Sequence, residues 1–482
     1  MDLTSLTEIK KALSNKEFSS EELVQASLNK ITEHDHEIGA FLHVAEVEAL
    51  AEARDFDRRR AAGEEMPSLA GIPIAIKNNI LVQGRKTTAG SKMLENYEAA
   101  YDASVVKHLR GAGLIIIGDT NLDEFAHGST TENSAFFTTK NPWDIKKVPG
   151  GSSGGSAAAV TADFVPVALG SDTGGSIRLP AALCGITGLK PTYGRVSRHG
   201  LIAMASSLDQ IGPFGRSVED VAEIFSTIAG PDDFDATTVR NTDYVAPQLI
   251  PQDIKGLRIG VPKEYFVEGM DSEVKKSVLE AVELMRTNGA TVEEISLPHT
   301  EYALAVYYIV MPCEVSSNLA RMDGLRFGHA ADGKNLFETY LKARGEGLGS
   351  EAKLRIMLGS FALSKGYSDA YYKKALRVRS LIRQDFDQAF KRVDVIATPT
   401  SPTVAWDIGA KFSDPLTMYL SDIYTVSANL AGLPALSLPC GFDQGLPIGL
   451  QFMAKPFDET CLFRAGKFYQ SMTEWHLKNP KL

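Results

Sequence analysis

The chain has 482 residues, 44% of them hydrophobic and 23% charged, with a formal net charge of −10. These proportions are ordinary for a folded globular protein and exclude a disordered or collagen-like chain, and no apolar run approaches the roughly 18 residues of a membrane-spanning helix. The acidic balance also argues against this chain alone gripping a nucleic-acid backbone, because that affinity rests on clustered Lys and Arg.

The N-terminal region, to about residue 65, reads as helical. Ser19 and Glu22 form a capping box ahead of the apolar stripe Leu23, Val24, Leu28 and Ile31. A second helix is expected from about Val44 to Ala62, with the charged run Arg54 to Arg60 on a solvated face. The opening Met1 to Ser5 has neither a basic start nor an apolar core, so no signal or transit peptide is expected and the protein is placed in the cytoplasm. Gly71 to Ile76 then reads as a short strand closed by Lys77, with Asn78 and Asn79 beyond. A lysine in that position is either a snorkelling surface residue or a desolvated amine.

Gly113 to Gly118 is another strand candidate. The stretch Gly150 to Ser176 follows, with a glycine-serine loop (Gly150 to Ser156), a small-residue helix through Ala157 to Val160, a strand over Phe164 to Leu169, and a second glycine loop, Ser171 to Ser176. Glycine pairs on both sides let backbone N–H groups converge on an anion, either a phosphate or the oxyanion of an attacked carbonyl. Ser217 and Asp220 cap a helix over Val218 to Ala229, and the polar stretch Pro231 to Gly256 reads as a long excursion or linker. Leu257 to Val261 and Thr291 to Ile295 return to strand character. Tyr302 to Val393 is largely helical, with Tyr371, Ala375, Val378, Ile382, Phe386 and Phe390 on one face and Lys373, Lys374, Arg377, Arg379 and Arg383 on the other, solvated face. Val395 to Thr398, Ala435 to Pro439 and Ile448 to Met453 complete the strands.

Strands alternating with helices predict an α/β fold: a mixed central β-sheet covered by helices on both faces. We read residues 1–482 as a single domain, with a core over about 66–230, a largely helical insertion over about 302–393 and a C-terminal return to the sheet over about 394–482. Cys184, Cys313, Cys440 and Cys461 are too far apart for a C-x-x-C motif and read as reduced thiols; no metal site is expected.

The glycine-serine loop is not a P-loop, because no Gly-Lys-Ser/Thr follows at the required spacing. Ser176 heads no Ser-x-x-Lys motif, since Leu179 stands where the lysine would be, and it lies in no Gly-x-Ser-x-Gly elbow. What remains is Ser176 after two glycines, Ser152 upstream, and Lys77 at a strand end. A serine hydroxyl needs a base to become a nucleophile; a neutral lysine can serve if burial lowers its pKa, and a serine can relay the proton. A purely structural glycine nest is the bland alternative.

At these residues the sequence resembles the amidase signature family, whose hallmark is a glycine-serine loop followed by Gly-Ser-Asp-Thr-Gly-Gly-Ser-Ile-Arg, here Gly170 to Arg178. The resemblance spans nearly the whole chain and includes Gly188 to Ser197 and Ser206 to Pro213. Within that family it is most similar to the glutaminase (A) subunits of Glu-tRNA(Gln) amidotransferases, through Asp123-Glu124-Phe125, Gly128 to Ser134, Gly366 to Tyr372 and the ending Trp475 to Leu482.

The resemblance implies an amidase signature fold and a Ser-Ser-Lys triad. Ser176 would attack the side-chain amide of glutamine to give an acyl-enzyme, Ser152, preceded by a cis peptide bond, would relay protons, and Lys77 would act as base and then acid. The N–H groups of Thr173, Gly174, Gly175 and Ser176 would form the oxyanion hole, with Asp172 and Arg178 bracing the loop. Arg355 would take the substrate carboxylate and Asp422 its ammonium, with Tyr307 lining the pocket; read without the resemblance, Arg355 is a helix-surface residue and Asp422 a loop acid. The implied assembly is a heterotrimer in protein biosynthesis. A B subunit would bind Glu-tRNA(Gln), use ATP and magnesium and receive the ammonia, and a small C subunit would clasp this chain, which would carry no cofactor of its own and contact no membrane. A free-standing amide hydrolase of the same family is the alternative. Two positions depart from the pattern: Asn78 where the family usually has an acid, and His127 where the subgroup commonly has methionine.

Overall fold

The computed structural model describes residues 5–240, 253–266, 269–410 and 420–482. Its centre is one eleven-stranded sheet: β1 (Phe41–Val44), β2 (Pro73–Lys77), β3 (Ile115–Thr120), β4 (Val167–Asp172), β5 (Thr187–Lys190), β6 (Gln210–Gly215), β7 (Arg258–Pro262), β8 (Thr291–Ile295), β9 (Val395–Pro399), β10 (Ala435–Asp443) and β11 (Leu446–Ala454). Across the sheet the order is β1-β3-β2-β4-β6-β5-β10-β11-β9-β7-β8. β3, β2 and β4 run parallel, as do β9, β7 and β8, and an antiparallel block joins the two groups. The mixed sheet covered by helices matches the fold class read from the sequence.

Alternation along β2 positions the site. Ile74 and Ile76 pack into the core on one face, with the helices Leu6–Asn15 and Val218–Ile228. Ala75 packs into the core on the other, with Ala157 to Val160 of the helix Gly154–Thr161. Side chains two apart on a strand share a face, so Lys77 falls on the side of Ala75, at the start of that small-residue helix.

Both predicted capping boxes form. Ser19 and Glu22 close the start of the helix Ser20–Ile38, and Ser217 and Asp220 exchange 3.0 Å hydrogen bonds ahead of Val218–Ile228. Asp220 also accepts from the Leu6 N–H (2.9 Å), fastening the N-terminal helix to the core. β3 and β4 begin later than predicted. Gly113 sits in a left-handed turn (φ +83°) against Ala70, and Phe164 N–H still satisfies the carbonyl of Ala159 at the end of the preceding helix. β1 ends at Val44, where a helix start is expected from the sequence, and β5 and β6 have no counterpart among the predicted strands. β6 carries Gly212, Pro213 and Gly215, residues depleted in strands, yet it lies mid-sheet with Pro213 opposite Leu169.

One expectation about charge is corrected: Arg379 is not on a solvated face, because its guanidinium donates to the carbonyls of Leu430 and Ser207 and to Ser207 Oγ. Another concerns length: the stretch Pro298–Arg321 is apolar and long enough to span a membrane, but over half of its apolar window is buried in the protein. Residues 241–252 of the predicted excursion and the first four residues lie outside the described regions. Cys184, Cys313 and Cys440 are buried and Cys461 half-buried, all as free thiols.

The cap at Ser217 gives a direct test. Ser217→Ala removes the acceptor for Asp220 N–H and should lower stability by about 1 kcal/mol, read as a shifted midpoint in urea with unchanged cooperativity.

Candidate active site

Lys77 is completely buried at the end of β2. Its Nζ lies 2.7 Å from Ser152 Oγ and 2.9 Å from the Oγ atoms of Ser153 and Ser171. Desolvation pulls its pKa down to about 7, against the upward pull of the Asp123, Asp172 and Asp209 carboxylates. The desolvated-amine reading of Lys77 therefore holds, and the snorkelling one does not. The Gly151–Ser152 peptide is cis. Ser153 N–H donates to the carbonyl of Ser176 (3.2 Å), which holds the glycine-serine loop against the Gly-Gly-Ser turn. Ser176, 8% exposed, retains a little access to solvent, whereas Ser152 has none.

The turn after β4 is wrapped around one ion pair. Arg178, wholly buried, donates to both carboxylate oxygens of Asp172 (3.1 and 3.0 Å) and reaches the Thr425 carbonyl, Asn429 Oδ1 and Gln451 Oε1. Burial raises the Asp172 carboxyl, but the Arg178 charge and these hydrogen bonds outweigh it and hold the pKa at about 2. Asp172 also accepts the N–H groups of Gly175 (2.9 Å) and Ile177 (3.1 Å). Of the four N–H groups expected to face an anion, that of Gly175 donates to Asp172 Oδ1 in this structure. Gly175 has φ +144°, and a Cβ there would collide with Thr425 Oγ1, so no other residue fits the turn.

Beside the turn lies a cluster of polar and aromatic side chains contributed largely by the helical layer. Tyr307, on the helix Ala303–Asn318, packs against Gly174, where a Cβ would meet its ring at 2.6 Å. Tyr308 donates from its hydroxyl to Asp422 (3.1 Å), and Ser129 Oγ lies 3.0 Å from both oxygens of that carboxylate. Burial lifts Asp422 to about 7 despite these donors. Arg355, on the helix Ser350–Leu363, is buried, pairs with Glu351 and stacks over the Tyr308 ring at 4.6 Å. Arg355 and Asp422, 67 residues apart in the chain, are thus brought to one aromatic side chain.

Sequence reasoning missed Ser129 and Tyr308 as partners of Asp422, and Asn429 and Gln451 as partners of Arg178. Ser129 stands in Gly128 to Ser134, singled out only as a subgroup mark; Tyr308 adjoins Tyr307. Of the two departures, Asn78 holds the neighbouring loop, accepting from Thr88 N and Oγ1 (both 2.7 Å) and donating to the Lys86 carbonyl. His127 is buried. Among the described residues no cluster of three His, Cys, Asp or Glu side chains could hold a metal ion.

A glycine-serine loop, a buried strand-end lysine and a braced Gly-Gly-Ser turn on a mixed sheet define the amidase class of α/β enzymes. The Amidase family model matches residues 22–463, and the chain belongs to that family. Among its relatives are the A subunits of glutamyl-tRNA(Gln) amidotransferases from Roseiflexus castenholzii, 56% identical over 99% of this chain and 97% of that one, and from Geobacillus kaustophilus, 54% identical over 99% of both. The crystal structure of the corresponding glutamyl-tRNA(Gln) amidotransferase chain from Thermotoga maritima superposes with a TM-score of 0.84 at 42% identity, covering 100% of this chain and 99% of that one.

The Asp172–Arg178 pair is a stability test as well as a brace. Asp172→Asn leaves a guanidinium buried without its counter-charge and should cost about 3–5 kcal/mol, measured by chemical denaturation.

Proposed function

We propose that this chain is the glutaminase subunit of a tRNA-dependent amidotransferase, and that Ser176, Ser152 and Lys77 hydrolyse the side-chain amide of glutamine. The observation that carries the reading is the Lys77 amine, removed from water and 2.7 Å from the Ser152 hydroxyl. A neutral amine there takes the Ser152 proton as Ser152 takes that of Ser176, and Ser176 Oγ adds to the amide carbon. The negative charge that develops on the amide oxygen is met by the N–H groups of Thr173, Gly174 and Ser176. Lys77, now an ammonium, returns its proton through Ser152 to the nitrogen, the C–N bond breaks, ammonia leaves, and a glutamyl ester remains on Ser176. Water attacks the ester by the same relay in reverse, releasing glutamate.

Arg355 takes the glutamine carboxylate, Asp422 takes its ammonium, and Tyr307 closes the pocket wall. Ammonia released into bulk water at neutral pH is protonated and lost as a nucleophile. The reading therefore calls for a B subunit, which binds Glu-tRNA(Gln), activates its glutamate with ATP and magnesium and receives the ammonia, and for a C subunit; the names of the relatives support such an assembly. With RNA held by the partner, the net charge of −10 is no obstacle.

Two measurements test this. Ser176→Ala should reduce glutamine hydrolysis to background and abolish the acyl-enzyme seen by mass spectrometry; unchanged turnover would sink the mechanism. Lys77 must be neutral to act as base, and burial places its pKa at about 7. Thus kcat should rise about tenfold per pH unit up to about pH 7 and level off above it. The limb is read in kcat at saturating glutamine, because Asp422, pushed up to about 7, titrates in the same range and acts on binding.

A further inference from the structure

The helix Ser350–Leu363, which carries Arg355, begins without a capping group of its own. Its N-cap is Gly349, with no side-chain cap, and Ala352 stands at the third helical position, where a capping box has Glu or Gln. The missing partner comes from 225 residues away: both carboxylate oxygens of Glu124 accept the Gly349 N–H (3.0 and 2.8 Å). A carboxylate there also meets the positive end of the helix dipole. A Cβ on Gly349 would lie 2.4 Å from Glu124 Oε2, so the space of a local capping side chain is taken by the glutamate.

Glu124 is itself buried and held. Its carboxylate also accepts from Ser91 Oγ. The backbone just beyond it is strained: Phe125 (φ +48°) and Ala126 (φ +63°) are consecutive non-glycine residues in the left-handed region, a conformation that concentrates at functional sites. The Phe125 N–H is secured on the Ala89 carbonyl (2.7 Å), and Asp123 accepts the N–H groups of Thr131 and Asn133 (2.9 and 3.0 Å). Farther along, the Arg355 helix is seated on the helix Ala303–Asn318, which carries Tyr307 and Tyr308; a Cβ on Gly359 would fall 1.8 Å from the Pro312 carbonyl oxygen. Arg355 lies between these two fixed points, stacked on Tyr308 and paired with Glu351.

A helix held at one point can pivot about it, and a misplacement of about 1 Å at a group that orients substrate is enough to weaken its hold. We propose that Glu124 is a positioning residue for glutamine binding: by holding the head of the Arg355 helix, it fixes the guanidinium where the substrate carboxylate is met. Glu124 touches neither the substrate nor the reacting serines in this account, so its effect falls on binding and not on the proton relay. What the Gly349 N–H requires at position 124 is an acceptor, which an amide oxygen also provides. The inference rests on the glutaminase reading, in which Arg355 takes the α-carboxylate, and adds to it the residue that sets the arginine in place.

The test compares glutamine with 4-aminobutanamide, the same amide without its α-carboxylate, in the full-length enzyme. Glu124→Met, similar in size but without the acceptor, should raise KM for glutamine about tenfold, the scale of one weakened hydrogen bond to a charged group. Its kcat should stay within about threefold of wild type, and its kcat/KM for 4-aminobutanamide within about twofold. Glu124→Gln, which keeps an acceptor for the Gly349 N–H, should stay within about threefold of wild type on both amides. Gly349→Ala leaves Glu124 in place but displaces its carboxylate; it should reproduce the selective rise in KM, and it does not depend on how Glu124→Met folds. In an Arg355→Met background, Glu124→Met should add less than about twofold, because the two residues act as a unit. A merely structural Glu124 would give equal losses on both amides, or a fall in kcat with KM unchanged. Either result, or an undiminished effect in the absence of Arg355, would overturn the inference while leaving the glutaminase reading standing. Wild-type enzyme that does not hydrolyse glutamine at all would overturn both.

Discussion

An amine taken out of water governs this site. Burial penalises the charged form of Lys77, and the carboxylates of Asp123, Asp172 and Asp209 favour it; the first effect is the larger, and the balance falls at about 7. The balance depends on where those carboxylates point. Asp123 accepts the N–H groups of Thr131 and Asn133, and Asp172 is occupied by Arg178, so neither is among the hydrogen-bond partners of the amine. Three serine hydroxyls surround Nζ instead. A hydroxyl can donate or accept, so the same shell accommodates the neutral amine and the ammonium without moving a heavy atom. Had a carboxylate replaced one of these serines, the lysine would remain an ammonium at neutral pH and could not act as a base.

The second constraint is the brace behind the turn. Asp172 ends β4, and through Arg178 it is joined to Thr425, Asn429 and Gln451, all from the C-terminal part of the chain. The turn that carries Ser176 is therefore fixed by residues about 250 positions away, a tertiary organisation that its own glycine-rich sequence could not impose. Donation from the Gly175 N–H to Asp172 secures the turn. It also fixes the directions of the neighbouring N–H groups, which is what preorganisation at an oxyanion requires.

Much of this is legible in the chain, for identifiable reasons. The capping boxes at Ser19 and Ser217 are local interactions that a four-residue pattern specifies. The β8 boundaries, Thr291 and Ile295, match their expected places between Gly289 and Pro298, which bracket the strand. The hallmark Gly170 to Arg178 brings together the serines, the lysine strand and the ion pair. By contrast β6, with two glycines and a proline, is held by its neighbours against its own preference, and no local rule identifies it. Arg379 escapes a sequence reading because helical periodicity separates faces but does not reveal what packs on the far one. Ser129 and Tyr308 are hidden as partners of Asp422 because that contact joins three segments about 114 to 293 residues apart.

The division of labour within the fold follows from these distances. The groups proposed to react stand on strand ends and the loops between β2, β4 and the helix Gly154–Thr161, all of them buried elements. The groups proposed to meet the rest of the substrate come from the helical layer and from the segment Asp123 to Asn133. Glu124 joins the two sources of that second set: its carboxylate, raised to about 7 by burial, accepts from Ser91 Oγ and from the Gly349 N–H at the head of the Arg355 helix, while its carbonyl orients His127.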